Sequence, residues 1–132
     1  MMHFLYTLSI YLIVLGIRMA SLFHPKAKDA ISGRKGWRDK IMEGLKGNNR
    51  PVVWIHVSSL GEFEQARPLI VRIKQEYPQY KILITFFSPS GYNARKDFEY
   101  ADYVFYLPYD TPKKCSRFHG YCKTEIYFIC EI

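Results

Sequence analysis

The sequence contains little cysteine, and its arrangement does not suggest a metal site or a disulfide framework. The three cysteines, Cys115, Cys122 and Cys130, are odd in number and show no C-x-x-C spacing. A structural zinc site needs closely spaced Cys or His ligands, and a disulfide framework needs cysteines in pairs. We therefore expect no metal, no disulfides and a reducing compartment.

The sequence also lacks the short motifs that hold nucleotides or read nucleic acids. It has no G-x-G-x-x-G and no Walker loop. Acidic residues are scarce, with 12 Asp and Glu against 19 Lys and Arg, and most of the positive excess lies between residues 24 and 50. A basic block beside an apolar one indicates contact with an anionic membrane surface or a phosphorylated ligand more than with nucleic acid. A solvated basic face is the alternative.

The chain is long enough for one domain of ordinary size. Its 132 residues are 48% apolar and 17% aromatic, which is enough to bury one core. A second domain of the size that a two-domain enzyme needs does not fit.

Residues 1–23 are almost wholly apolar and predict a helix that attaches the chain to a membrane. Spanning a bilayer takes roughly 20 apolar residues, and the run from Phe4 to Phe23 reaches that length only if Arg18 extends to the interface. No Lys or Arg precedes the run, which disfavours a signal peptide. The basic residues that follow it predict that the rest of the chain lies in the cytoplasm. The helix is expected either to span the membrane or to lie in its interface, and the alternative is a buried or amphipathic helix packed on the domain.

Residues 24–50 are predicted to form a basic segment with one short amphipathic helix, from Trp37 to Lys46, after a turn at Ser32 to Gly36. From residue 51 to residue 132, buried strands alternate with helices, which predicts a Rossmann-like parallel sheet. The predicted strands cover residues 52–57, 81–87, 102–108 and 125–130. The predicted helices cover residues 62–77 and 92–99, and a further one begins at Asp110 or Thr111.

Small polar turns follow the first two predicted strands. Ligands of parallel sheets bind outside the carboxyl ends of the strands, and helix N-termini favour anions. The candidate residues are Ser58, Ser59 and Gly61 in the first turn and Ser88, Ser90 and Gly91 in the second. The alternative is that Ser59 and Ser90 only cap the helices that follow.

Glu62 lies in the first turn of the predicted helix after the first strand, and it is the leading candidate for a catalytic residue. A carboxylate at this position could act as a general base toward a sugar hydroxyl, or it could simply complement the helix dipole. His56 is predicted to be a hydrogen-bonded core histidine rather than a ligand, and Asp110 to be a helix cap.

Five short stretches occur in an order and spacing that a known family shares. They follow the apolar N-terminus and are Gly33 to Trp37, Trp54 to Phe63, Pro68 to Ile70, Thr85 to Gly91 and Tyr106 to Pro112. With them, the chain resembles the N-terminal half of the 3-deoxy-D-manno-octulosonic acid (Kdo) transferases that act on lipid A precursors. That family has the GT-B fold, which consists of two Rossmann-like domains.

The resemblance implies an inverting transfer of Kdo from CMP-Kdo to a hydroxyl of an acylated, bisphosphorylated glucosamine disaccharide at the inner membrane, as part of lipopolysaccharide synthesis. Glu62 matches the general base of the family, and no cofactor or metal is implied for the transfer step. The N-terminal domain binds the acceptor, so Arg34, Lys35 and the two turns are expected to contact its phosphates. Nucleic acid is not an expected partner.

The resemblance weakens after Phe118, and Glu131 stands only near the place of a second acidic motif of the family. The C-terminal domain that holds CMP-Kdo is not matched, so we expect a truncated acceptor-binding half that is inactive alone. The alternative is a non-catalytic, membrane-associated binding module of the same fold, in which Glu62 is only a helix cap.

Overall fold

The structure is a computed structural model that describes residues 2–20, 22–107 and 124–130. Five helices and four strands occur in these ranges. In chain order they are α1 (Met2–Ala20), α2 (Pro25–Arg34), α3 (Trp37–Gly44), β1 (Val52–Val57), α4 (Leu60–Glu76), β2 (Lys81–Phe86), α5 (Pro89–Arg95), β3 (Tyr103–Tyr106) and β4 (Thr124–Cys130).

The four strands form one parallel sheet in the order β3-β2-β1-β4. β1 lies in the interior of the sheet, and its last residue, Val57, pairs with Phe86 of β2 and Cys130 of β4. This confirms the predicted Rossmann-like parallel sheet and all four predicted strands. The helix predicted to begin at Asp110 or Thr111 lies outside the described residues.

Both faces of the interior strands β1 and β2 are covered, which explains why these strands are largely apolar. On one face, Val53, Ile55 and Val57 of β1 pack against a stripe of α4 formed by Phe63, Ala66 and Ile70. On the other face, Ile41 of α3 packs against Val52 and Leu83. The predicted helix after Glu62 is confirmed, and Pro68 lies inside it.

Residues 24–50 contain two helices where the sequence predicted one. Pro25 is the first residue of α2, a position where its missing N–H costs little. The predicted turn at Ser32 to Gly36 was therefore wrong in its first part, because Ser32 to Arg34 belong to α2. The turn itself is made at Gly36, whose φ of 66° favours glycine.

Helix α1 leaves much apolar surface uncovered. Leu5, Tyr11, Leu12, Leu15 and Met19 are each more than half exposed, and the helix packs against α2. Within residues 2–20 and the other described ranges, no helix is long and apolar enough to cross a membrane. Attachment of α1 to a membrane surface stays a prediction.

Gly33 is required by the packing of α2 against β3. A Cβ at this position would lie 2.7 Å from Cδ2 of Tyr106, whose buried ring is stacked on Tyr92 at a centroid distance of 4.1 Å. The ring cannot move aside without displacing its neighbour.

Gly33→Ala is therefore expected to lower the thermal midpoint by several degrees, although Gly to Ala inside a helix ordinarily stabilises by about 1 kcal/mol. Gly16→Ala in α1 is the matched control, because nothing lies within 4 Å of the added Cβ. Thermal denaturation of both variants checks this, and a Gly33→Ala midpoint at or above that of the wild type would contradict the packing.

Asp102 joins β2, β3 and α4 at the amino edge of the sheet. Its carboxylate accepts hydrogen bonds from the Ile82 N–H at 2.8 Å, Lys74 Nζ at 2.6 Å and Lys81 Nζ at 2.8 Å. Burial by itself raises the pKa of Asp102, but these donors outweigh it and hold the pKa below its usual range. Because the pKa is lowered on folding, Asp102 stabilises the fold above the unfolded pKa of about 3.9.

Asp102→Asn is expected to reduce the free energy of unfolding at pH 7 by about 1–3 kcal/mol, because the lysines lose their charged partner. The difference between wild type and variant should shrink as pH falls below about 4, where Asp102 itself becomes protonated. Urea unfolding at several pH values measures this difference. A difference that stays constant or grows in acid would disprove the assignment.

Candidate functional site at the carboxyl edge of the sheet

The structure brings the two predicted turns together at the carboxyl edge of β1 and β2. The Ser88 N–H donates to the Ser58 carbonyl at 2.9 Å, and the Phe87 N–H donates to the Val57 carbonyl at 3.2 Å. A Cβ on Gly91 would lie 3.3 Å from the Leu60 nitrogen, so the first turns of α4 and α5 are in close contact. A ligand at one turn therefore lies beside the other.

Glu62 is held at this edge by a reciprocal cap. Its own N–H donates to Ser59 Oγ at 3.3 Å, while its Oε2 accepts a hydrogen bond from the Ser58 N–H at 2.6 Å. This arrangement resembles a capping box, in which the side chain at the third helical position reaches back across the cap. The half-buried carboxylate is thus fixed in place, and its Oε1 accepts no hydrogen bond from the described residues.

The second turn is capped by a different serine from the one predicted. Ser88 Oγ accepts from the Gly91 N–H at 3.4 Å and lies 2.7 Å from Ser90 Oγ. Ser88 is thus the N-cap of α5, while Ser90 is exposed inside its first turn. Pro89 at the first helical position explains the shift, since proline is favoured immediately after an N-cap.

Arg34 lies beneath the second turn with its side chain turned into the protein. Its guanidinium donates to the carbonyls of Leu107 at 2.8 Å, Ala30 at 2.9 Å and Phe87 at 2.5 Å. The group also lies over the rings of Phe87 and Tyr106, at 4.9 and 5.1 Å from their centroids. This geometry favours a positioning role, in which Arg34 ties α2 to the chain just after β2 and β3. Direct contact with a phosphate, the predicted role, stays a prediction.

Lys35, the other predicted basic contact, directly follows α2 and is exposed. Gly61 is also exposed, and a Cβ there would meet only Ser59 Oγ, at 3.8 Å. The first turn of α4 is therefore open to an approaching ligand.

His56 is hydrogen-bonded within the sheet, as predicted. Its Nδ1 lies 3.0 Å from Thr85 Oγ1 and 3.1 Å from the Thr85 carbonyl, and Trp54 Nε1 donates to the same hydroxyl at 2.9 Å. Thr85 is fully buried and stands opposite His56 in the sheet. This group could not be predicted from the sequence, because only the register between the strands brings the three side chains together.

Glu64 is a second carboxylate on α4, and it was not among the predicted site residues. Its Oε1 accepts from Arg95 Nη2 at 2.6 Å and Nε at 3.0 Å, and its Oε2 pairs with Arg67 at 3.2 Å. The ion pair between Glu64 and Arg95, in which both nitrogens donate to one carboxylate oxygen, joins α4 to α5 and so helps to hold the two turns side by side. Because the pair is partly exposed, we expect its contribution to stability to be small.

Metal ligands do not cluster in the part of the chain that the structure describes, where no three His, Cys, Asp or Glu side chains lie together as a metal site would need. The predicted absence of a metal in the reaction stays a prediction.

A parallel α/β sheet with a capped carboxylate and two serine turns at its carboxyl edge is consistent with the Rossmann-like class, whose ligands bind outside the carboxyl ends of the strands. The model of a family described as 3-deoxy-D-manno-octulosonic-acid transferase (Kdo transferase) matches residues 32–132. The chain belongs to this family.

Curated relatives agree with this assignment. A 3-deoxy-D-manno-octulosonic acid transferase of Haemophilus influenzae is 35% identical over 81 residues, which are 60% of this chain and 19% of the relative. Transferases of the same name from Aquifex aeolicus and Chlamydia trachomatis are 32% and 33% identical over 90 residues. These matches cover 67% of this chain and 24% and 20% of the two relatives. No solved structure gives a significant match.

Proposed function

We propose that the chain is the acceptor-binding N-terminal part of a Kdo transferase of lipopolysaccharide synthesis. The observation that carries this proposal is the Glu62 carboxylate, fixed at the carboxyl edge of the sheet beside two turns that suit an anionic ligand. The strand order is compatible with the first of two Rossmann-like domains, as in the GT-B fold. The matched segment is about a fifth to a quarter of the relatives' length.

In the proposed reaction, Glu62 removes the proton from the acceptor hydroxyl. The resulting oxygen attacks the anomeric carbon of Kdo from the face opposite CMP, and the bond from that carbon to the phosphate oxygen breaks. CMP leaves as a phosphate monoester, and the product has inverted configuration. The Ser58 N–H holds one oxygen of Glu62, so the other can accept the proton without reorientation of the carboxylate.

The proposed acceptor is a phosphorylated, acylated glucosamine disaccharide, the precursor of lipid A. Its phosphates would bind the exposed Lys35 and the turn residues Ser58, Ser59, Gly61, Ser88, Ser90 and Gly91, with Arg34 holding the second turn in position. Both serine turns are N-caps of helices, where backbone N–H groups and the helix dipole favour anions.

The exposed apolar side chains of α1 support attachment to a membrane surface, where such an acceptor is found. We place the domain on the cytoplasmic face of the bacterial inner membrane. This placement agrees with the basic residues that follow α1.

Removal of the acceptor phosphates is expected to weaken binding to the chain by at least about tenfold, since a hydrogen bond to a charged group contributes roughly 1.5–3 kcal/mol. Isothermal titration with the bisphosphorylated and the dephosphorylated disaccharide measures this. Lys35→Ala should weaken binding of the phosphorylated form only. Lys46→Ala, an exposed lysine near the opposite edge of the sheet, should not. Equal affinity for both ligands would contradict the proposed acceptor site.

The second candidate function is a binding module without catalysis, and the capping contact between Glu62 and Ser58 is the observation that favours it. In that case Glu62 serves only the stability of α4. The two functions differ in the effect of Gln at position 62, which keeps an acceptor for the Ser58 N–H but is not a base.

A further inference from the structure

A groove of about 330 Å³ lies between α1, α2 and the start of α5. Its walls are mainly apolar and come from Ile17, Ala20, Ala27, Ala30, Phe87 and Pro89. Three of these residues are alanines, and their short side chains leave space where α1 and α2 meet. A volume at the lower end of the range for ligand sites suits one narrow apolar group.

The exposed apolar wall indicates an apolar ligand. Phe87 is 41% exposed, although it directly follows a buried strand, and Ile17 and Ala20 are half-buried. Apolar surface of this kind is unfavourable in water and is stabilised when an apolar ligand covers it.

One end of the groove coincides with the candidate site. Ser88 lines the groove, caps α5 and donates its N–H to Ser58, which in turn binds Glu62. Lys26 is an exposed residue of the lining, and no ion pair joins it to a carboxylate of the described residues. The groove therefore combines an apolar interior with a cationic residue and leads to the turns proposed to hold a phosphorylated sugar.

We propose that this groove binds one acyl chain of the acceptor lipid while the phosphorylated sugar of the same molecule lies at the serine turns. This inference rests on the proposed function. In this arrangement, α1 and α2 contribute to substrate selectivity, because a sugar phosphate without acyl chains would leave the groove empty. The positive charge of Lys26 complements the anionic headgroup to which the acyl chain is joined.

The first test uses the 132-residue chain without substitution. Binding is measured for bisphosphorylated glucosamine disaccharides that carry acyl chains of increasing length, below the concentration at which they form micelles. Affinity should rise roughly threefold to fourfold for each methylene buried and level off once the groove is filled. Affinity that is independent of chain length, with the deacylated disaccharide bound equally well, would overturn the groove assignment and leave the proposed function standing.

The second test introduces a larger side chain on α2 that occupies the groove. Ala27→Phe should weaken binding of the long-chain acceptor by at least about tenfold, the effect of several lost methylenes, and leave the deacylated disaccharide unaffected. Ala94 is an exposed alanine on α5, and Ala94→Phe is the matched control. It should change the affinity for neither ligand. Equal losses for both ligands in Ala27→Phe would mean that the groove does not hold the acyl chain.

A third experiment identifies which lipid supplies the acyl chain in the groove. Vesicles of phosphatidylglycerol are added as competitor, and the proposal expects the acylated disaccharide to displace them from the groove at far lower concentration. If phosphatidylglycerol binds as tightly and Ala27→Phe weakens it equally, the occupant is a bulk membrane lipid and the acceptor assignment is wrong. If the chain binds neither form of the disaccharide, the proposed function fails and the inference fails with it.

Discussion

Glu62→Gln is expected to lower the rate of Kdo transfer by roughly 10²–10⁴-fold, the usual contribution of a general base. Glutamine has nearly the same shape and can still accept the hydrogen bond from the Ser58 N–H. It cannot take the proton from the acceptor hydroxyl. The measurement is the initial rate of transfer from CMP-Kdo by a chimera that joins this chain to the remaining part of a family relative.

Glu64→Gln is the matched control for this prediction. Glu64 lies on the same helix two residues away, but its carboxylate is engaged by Arg95 and Arg67. Its substitution should leave the transfer rate within a few fold of the wild type. Unfolding in urea should show Glu62→Gln close to the wild type in stability. A transfer rate for Glu62→Gln that equals that of Glu64→Gln would make Glu62 a helix cap only.

Arg34→Met is expected to reduce the free energy of unfolding by about 3–5 kcal/mol, because three carbonyl groups lose a charged donor in a place with little access to water. Arg34 is only 6% exposed, and it donates to Ala30, Phe87 and Leu107. Arg34→Lys should recover only part of this stability, since an ammonium group cannot reproduce the planar fork of the guanidinium. Urea unfolding of both variants measures the loss.

Arg38→Met is the control, because Arg38 is half-buried and lies over the Trp37 ring on α3. It should change the stability much less than Arg34→Met. If Arg34→Met unfolds at the same urea concentration as the wild type, Arg34 does not tie α2 to the sheet, and its predicted role as a direct phosphate contact becomes the better explanation.

The sheet could be predicted from the sequence because its two interior strands, β1 and β2, are largely apolar runs. Most residues of Val52 to Val57 and Lys81 to Phe86 are buried, a pattern typical of strands in a parallel sheet with helices on each side. Helix α4 could be predicted too, from the spacing of Phe63, Ala66 and Ile70.

Helix α2 could not be predicted in the same way. It contains Pro25, Ser32 and Gly33, residues that are typical of turns, and it buries only Ala30 and Arg34. Its stability depends on Arg34 reaching carbonyls that are 53 and 73 residues away in the chain. Local propensity carries no information about such contacts.

The candidate site was predictable in position but not in detail. The two turns follow neighbouring strands and therefore lie side by side at the carboxyl edge of the sheet, while the binding of a ligand there stays a prediction. Ser88 caps α5 instead of the predicted Ser90, because the helix begins at Pro89. Helix ends are the least certain feature of any sequence-based prediction. The groove behind Ser88 arises from the packing of α1, α2 and α5, which no single stretch of the sequence encodes.

The central claim is that Glu62 is the base of Kdo transfer, and chemical rescue tests it most directly. The transfer rate of a Glu62→Ala chimera is measured with and without sodium formate, a small carboxylate that fits the space left by the side chain. We expect the rate to fall by roughly 10²–10⁴-fold without formate and to recover in part when formate is added, with no such response in Glu64→Ala. A Glu62→Ala chimera that transfers Kdo at nearly the unsubstituted rate without formate would contradict the claim.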